Sequence, residues 1–147
     1  MTATYDTDVV AWAKEQARLL RAGKFDQLDV EHIADEVEDV GKSEQRELAN
    51  RMAVLLAHLI KWQYQPTLRS ASWEATIRVQ RDLIAKRLQR TPSLGPMLTD
   101  DGWRGDIWAD ARLTTAKETG QPFDLIPQTI PWDMARQILQ AEFFPDA

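Results

Sequence analysis

The sequence predicts an all-α protein: a helical bundle of about four main helices, with a long second helix and a proline-rich C-terminal segment. Apolar residues recur at steps of three and four along most of the chain, which is the spacing of one face of a helix. No stretch alternates apolar and polar residues over the length of a strand. Leucines outnumber valines fifteen to seven, and the unbranched Cβ of leucine favours helix over strand.

Length and composition predict one domain over residues 1–147. The chain is 44% hydrophobic and 28% charged, which is typical of a globular protein. It has no cysteine, which excludes a disulfide scaffold, a cysteine-based metal site and a thiol nucleophile. The net charge of −5 argues against a surface built mainly to coat nucleic acid.

The first helix follows a capping residue, Asp6 or Thr7, because a short side-chain oxygen satisfies a free amide of the first turn. Its apolar face is expected to hold five residues, and Gly23 is expected to end it, since glycine reaches the left-handed conformation without steric cost. Those five residues are Val9, Trp12, Ala13, Ala17 and Leu20.

The second helix is predicted to start after Asp29 as its cap and to end before Pro66. Its apolar face is read as Ile33, Val37, Val40, Leu48, Met52, Leu55, Leu59 and Trp62. Two readings fit: one helix of about 35 residues over 30–64, or two helices that break near Gly41 to Ser43. A glycine inside a helix costs only about 1 kcal/mol relative to alanine, so we favour the continuous helix.

Three further helical segments and a loop complete the prediction. Ser70 or Ser72 caps a third helix, and Thr91-Pro92 begins a short helical turn that ends near Thr99. Asp100 or Asp101 opens the next helix, which Gly120 closes. An irregular loop follows over 121–131. A last short helix is expected from Ile130-Pro131 to Ala141, with Phe143 and Phe144 anchoring the tail.

Six short motifs occur in a characteristic order along the chain: Tyr5-Asp6 with Trp12, Ile33 to Glu38 with Gly41, His58 to Trp62, Ser72-Trp73, Glu118 to Gly120, and Pro131-Trp132. In the order and spacing of these motifs the chain resembles a bacterial family, domain-of-unknown-function family twenty-nine. The resemblance covers nearly the whole chain and implies a compact helical bundle. It implies no established activity and supplies no catalytic residue.

Charge is divided along the chain, with a net of −6 over residues 1–50, +6 over 51–92 and −5 over 93–147. One interpretation is that helices of opposite sign pack together and neutralise one another. The other is that the basic helix over 69–90 binds an anionic ligand or nucleic acid through phosphate contacts and aromatic stacking. The candidate ligand-binding residues are Lys61, Trp62, Arg69, Trp73, Arg78 and Arg81.

Catalytic and metal sites are not predicted. Helical di-metal proteins use Glu-x-x-His pairs, and this chain has none, so the acidic run from Asp35 to Asp39 is interpreted as a solvated face. His32 is one turn from Glu36 and is expected to share a proton or a salt bridge with it. His58 has a pKa suited to a general base, but no companion nucleophile is identifiable, which favours a structural role.

The function predicted from the sequence is a non-enzymatic, cytoplasmic module that binds another protein or itself, with no cofactor. No signal peptide and no membrane span is recognisable. Two alternatives remain: binding of nucleic acid or another anion through the 69–90 helix, and a small metal-dependent or histidine-based enzyme.

Overall fold

Four α-helices form most of the protein, which a computed structural model describes from residue 4 to residue 146. No strand occurs in this described part of the chain, so the all-α prediction is confirmed. The helices are α1 (Val9–Arg21), α2 (Val30–Tyr64), α3 (Ala71–Arg90) and α4 (Asp101–Thr119). Short 3-10 turns occur at Phe25–Gln27, Pro66–Leu68, Pro92–Thr99 and Phe123–Leu125.

Most helix ends lie where the sequence predicts them. The Asp29 carboxylate accepts a hydrogen bond from an amide of the first turn of α2. Of the alternatives, Ser70 caps α3 and Asp100 caps α4. Gly120 has a φ of 72° and ends α4, as the left-handed conformation of such a position requires. These ends are predictable because each depends on residues within one turn.

The start of α1 corrects the prediction. Its cap is Asp8, whose carboxylate accepts from the Ala11 amide at 3.1 Å, rather than Asp6 or Thr7. The Thr7 hydroxyl oxygen accepts from the Thr4 amide instead, at 3.1 Å. Thr7 therefore belongs to a turn that precedes the helix, and the cap of α1 lies one residue after it, at Asp8.

The apolar face of α1 also differs from the prediction. Trp12 and Leu19 are its buried residues, whereas Val9 and Leu20 are exposed by 48% and 44%. Residues 12 and 19 are seven positions apart, so they lie on one face. Leu20 lies about 100° around the helix from Leu19, and the choice between two adjacent leucines depends on what covers them.

Helix α2 runs through Gly41 without a break for 35 residues, as we favoured. Its buried residues all follow position 47. Val37 and Val40, predicted to continue the buried face, are exposed by 66% and 68%. That part of the prediction is wrong, because no other described segment covers the helix there.

The chain divides into two compact units. The first ends at Glu44, and the second begins at Gln45. The second unit holds the hydrophobic core, which is built on Leu48 to Ile60 of α2 with Ile77, Ile84, Ile107, Trp108 and residues of the C-terminal segment. The single domain expected over 1–147 stays a prediction, and residues 1–3 and 147 lie outside the described residues.

The C-terminal segment contains a shorter helical turn than predicted. It spans Met134–Ile138 with Asp133 as its cap, and it is a π-turn because the Leu139 amide donates to the Met134 carbonyl. The expected helix from Ile130-Pro131 to Ala141 is therefore wrong in extent. Within the described chain, no helix combines the length and apolar content that crossing a bilayer requires.

Candidate interaction surface

Arg81, one of the six predicted ligand-binding residues, is buried against the C-terminal segment. Its Nε donates to the Ile138 carbonyl at 2.8 Å, and its two Nη atoms donate to the Ala141 and Phe143 carbonyls at 3.3 and 2.7 Å. Burial, together with nearby Arg78, lowers the pKa of Arg81 to about 10. The guanidinium is therefore still charged at neutral pH, and the chain's own backbone occupies its donors.

Arg69 is held in the same way. Its Nε donates to the Trp62 carbonyl at 2.7 Å and its Nη2 to the Pro145 carbonyl at 3.4 Å. The guanidinium lies 5.0 Å from the centre of the Trp62 ring, and the Phe144 ring packs 4.9 Å from Trp62 on centroids. Phe143 and Phe144, the two aromatic anchors predicted for the tail, both pack against the hydrophobic core, so that prediction is confirmed.

The remaining predicted residues also have partners inside the second unit. Lys61 is buried and forms an ion pair with Glu118; its Nζ is 6.0 Å from the centre of the Trp73 ring. Arg78 pairs with Glu74 at 2.9 Å, one helical turn away. Its side chain is half exposed, and that pair is of the weak, solvent-screened kind.

The structure thus brings Trp62, Arg78 and Arg81 against one C-terminal residue, Phe144. Arg69 lies beside them, against Trp62 and the Pro145 carbonyl. The tail occupies the place where the sequence suggested a ligand. Backbone carbonyls, rather than carboxylates of neighbouring helices, hold Arg69 and Arg81. That these residues bind an external anion stays a prediction.

In the first unit, His32 and Asp29 form the best-defined polar cluster. His32 Nδ1 lies 2.7 Å from Asp29 Oδ2, which also accepts from Trp12 Nε1 at 2.9 Å. The expected pair of His32 with Glu36 does not form; the Tyr5 hydroxyl donates to Glu36 at 2.5 Å instead. Glu36 raises the pKa of Tyr5 to about 12, chiefly through that hydrogen bond.

The second histidine, His58, points its Nδ1 at the Val54 carbonyl of its own helix, 2.9 Å away. Burial lowers the pKa of His58, and the positive charge of Lys61 adds to that effect. Among the described residues, no group of three or more His, Cys, Asp or Glu side chains is placed to hold a metal ion. A histidine-based or metal-dependent enzyme stays an untested alternative.

The first unit exposes several apolar side chains that no contact within the unit covers. In residues 4–44 only Trp12 and Leu19 are buried apolar side chains. Every residue from 37 to 43 is exposed. Large apolar side chains that are exposed in this unit are Val9, Val10, Leu20, Phe25, Val30, Val37 and Val40.

Three of these side chains form a line on α2, which we call the α2 valine stripe: Val30, Val37 and Val40. Each is about two-thirds exposed. Their spacing of seven and three residues places them on one side of the helix, within an arc of roughly 80°. Isolated exposed apolar residues are ordinary, but an aligned row on a helix is the usual form of a helix-docking surface.

A family model named "Domain of unknown function DUF29" matches residues 4–144. The chain belongs to the DUF29 family. No curated protein and no solved structure matches the chain. The resemblance predicted from the motifs is therefore confirmed, and membership brings no activity with it.

In this DUF29 protein the stripe lies among carboxylates. Residues 30–44 contain one lysine and six acidic residues: Glu31, Asp35, Glu36, Glu38, Asp39 and Glu44. The sequence prediction assigns two of these valines, Val37 and Val40, to the core because their spacing continues that of the buried half of α2. The signal it missed is the density of carboxylates, which leaves too narrow an apolar face for burial in a core.

Proposed function

We propose that this DUF29 protein is a non-enzymatic, cytoplasmic interaction module whose α2 valine stripe docks on a basic amphipathic helix of another protein. The observation that carries the proposal is the exposure of Val30, Val37 and Val40 in a unit that buries only two apolar side chains among its described residues. Contiguous exposed apolar surface on a soluble protein usually marks an interaction site.

The stripe has enough apolar surface to contribute usefully to binding. Full burial of one valine is worth roughly 1.5 kcal/mol or more. The three stripe valines are already about one-third buried, so their burial supplies about 3 kcal/mol towards the costs of association. A partner helix that lays its own apolar face on α2 would bury all three at once, in the helix-docking mode.

The negative charge near the stripe favours a basic partner over a second copy of this chain. Of the six carboxylates in residues 30–44, Glu36 and Glu44 lie nearest to the stripe around the helix, so two copies that paired symmetrically through it would bring like charges together. A partner with lysine or arginine beside its apolar face gains attraction instead, and such steering speeds association. We therefore assign the stripe to a basic partner rather than to a second copy of this chain.

The arrangement of the basic residues favours this proposal over nucleic-acid binding. Arg69 and Arg81 donate to backbone carbonyls, and Lys61 is paired and buried. Arg78 alone of the four predicted cations is half exposed. Binding of several phosphates needs several accessible cations, which this site does not offer while the tail is in place.

The test uses a synthetic lysine–leucine peptide with its leucines at heptad spacing, and a second peptide of the same composition in scrambled order. We expect saturable binding of the first peptide and weaker binding of the second. The double variant Val37→Gln/Val40→Gln keeps the charge and does not lower helix propensity, and it should weaken binding about tenfold or more, since it removes apolar contact.

The matched control is Val79→Gln/Leu113→Gln, which changes two exposed apolar residues on α3 and α4 and should leave binding unchanged. Equal binding of both peptides, or no effect of the α2 variant, would overturn the proposal. Sedimentation equilibrium checks the other occupant: a dimer that the α2 variant dissociates would assign the stripe to a second copy.

A further inference from the structure

The second unit contains a cavity of about 300 Å³ at the first turns of α4. This volume is at the lower end of the range for small-molecule sites. No residue of the α2 valine stripe and none of the predicted anion site lines it. Its lining residues are Asp101, Arg104, Gly105, Trp108, Gln128, Thr129 and Ile130.

Arg104 is the unusual residue of this cavity. It is partly buried, and its Nε is enclosed without a hydrogen-bond partner. Within the described residues its guanidinium forms neither a hydrogen bond nor an ion pair, whereas those of Arg69, Arg81 and Arg112 all donate to carbonyl groups. Enclosing part of an unpartnered guanidinium costs free energy, so the site gains if an anion supplies the missing acceptors.

Asp101 carries the opposite charge to Arg104, and the two side chains do not form an ion pair. It precedes Arg104 by three residues, so both lie on the same side of α4, and both line the cavity. No ion pair joins them, nor does Asp101 have another partner among the described residues. One positive and one negative group are thus presented to the same space.

The walls supply apolar contact and are fixed in place. Trp108 is buried, and its Nε1 donates to the Pro127 carbonyl at 2.8 Å, which holds the segment carrying Gln128 to Ile130 beside α4. Trp108 and Ile130 form apolar wall, whereas Gln128 and Thr129 add hydrogen-bonding groups. The cavity therefore combines two charges, two polar side chains and an apolar surface.

We infer that this cavity binds a small zwitterion of the amino-acid class, with its carboxylate on Arg104, its ammonium on Asp101 and an apolar side chain against Trp108 and Ile130. A guanidinium matches a carboxylate with two parallel hydrogen bonds. The Asp101 carboxylate repels a polyanion such as a nucleotide, so the charge balance of the cavity selects a ligand of no net charge.

Nuclear magnetic resonance titration of the full chain tests the inference with three probes: L-leucine, 4-methylpentanoate, which lacks the ammonium, and 3-methylbutylamine, which lacks the carboxylate. We expect L-leucine to give saturable shifts of the Trp108 indole N–H and of the amides around Arg104 and Thr129. Arg104→Gln should weaken L-leucine about tenfold or more, because it removes a charge-assisted hydrogen bond.

Asp101→Asn separates the zwitterion from a simple acid: it should weaken L-leucine and leave 4-methylpentanoate unchanged or tighter. Arg90→Gln and Asp106→Asn are the matched controls, since both residues are exposed and lie outside the cavity. Arg104→Lys keeps the charge but loses the paired geometry, so it guards against a folding defect in Arg104→Gln and should give an intermediate affinity.

Two results would overturn the cavity as a binding site for L-leucine. One is the absence of saturable shifts with L-leucine up to its solubility limit. The other is an L-leucine affinity that Arg104→Gln and Asp101→Asn leave unchanged. Tighter binding of 4-methylpentanoate than of L-leucine to the unaltered protein would also reject the zwitterion. None of these results bears on the α2 valine stripe, which the peptide experiment tests separately.

Discussion

At the scale of single residues, Arg81 shows how a cation can be buried without a carboxylate beside it. Three backbone carbonyls near the end of the C-terminal π-turn accept its hydrogen bonds. Carbonyls at a helix end carry partial negative charge and lack intrahelical donors, so the arginine satisfies them while they compensate its charge. Arg81 thus ties the C-terminal segment to α3.

The two histidines give opposite pH responses. The hydrogen bond to Asp29 raises the pKa of His32, whereas burial lowers the pKa of His58. We expect a histidine titration followed by nuclear magnetic resonance to place one pKa above and the other below the ordinary value of about 6.5. Asp29→Asn, which can still cap α2, should lower the pKa of His32 and leave that of His58 unchanged.

The signs of the stability changes follow from linkage. His32 binds a proton more tightly in the folded protein, so its contribution is complete below the unfolded-state pKa and is lost as the pH rises through the folded value. His58 binds a proton less tightly when folded, so it lowers the free energy of unfolding as the pH falls below about 6.5. If both histidines titrated at the ordinary value of about 6.5, the effect of the Asp29 contact on His32 and that of burial on His58 would both be refuted.

At the scale of elements, replacing glycine by alanine should change stability in opposite directions inside a helix and at a helix end. Gly41 lies inside α2, and a methyl group added there would meet nothing within 4 Å, whereas Gly120 has a φ of 72° at the end of α4. Gly41→Ala should stabilise the protein by about 0.5–1 kcal/mol. Gly120→Ala should destabilise it by about 1–2 kcal/mol, because alanine is strained in the left-handed region.

Urea unfolding followed by circular dichroism measures both changes. The two variants add the same methyl group, so each is the control for the other. A destabilising Gly41→Ala would mean that the helix needs flexibility or a bend at this position. A neutral Gly120→Ala would mean that α4 ends by another means than the left-handed residue.

Helices and their ends could be predicted from the sequence because they depend on local chemistry. Asp29, Ser70, Asp100 and Gly120 act on amides or carbonyls within a turn, and apolar spacing identifies the buried part of α2. Faces were less predictable: Leu19 and Leu20 are equivalent by composition, and only the covering segment distinguishes them.

The candidate sites were harder to predict for the same physical reason. Arg69 and Arg81 donate to carbonyls between 57 and 76 residues further along the chain, and every residue type carries such a carbonyl, so no side-chain pattern reveals the partner. Arg104 is not identifiable from the sequence, because an arginine three residues after an aspartate has the spacing of a helical ion pair. Its lack of a partner is visible only in three dimensions.

At the scale of the whole molecule, the two compact units differ greatly in the amount of core they hold. Among the described residues, the first buries Trp12 and Leu19, whereas the second buries the remaining seventeen core residues. The free energy needed to open a segment locally rises with the number of buried apolar contacts that the segment makes. Stability should therefore be unevenly divided, even though one helix, α2, contributes to both units.

Amide hydrogen exchange of the full chain can locate that division within α2. Amides of residues 34–44 should exchange through openings of low free energy, and amides from Met52 to Ile60 only through global unfolding, because their side chains form the core of the second unit. We expect protection factors to rise steeply between Glu44 and Met52. Uniform protection along α2 would contradict this and show that the helix opens as one cooperative element.

Binding of the basic amphipathic peptide should raise the protection of residues 34–44 alone, because a ligand stabilises the segment that it contacts. Such a rise would link the weakly protected part of α2 to the proposed docking of its valines.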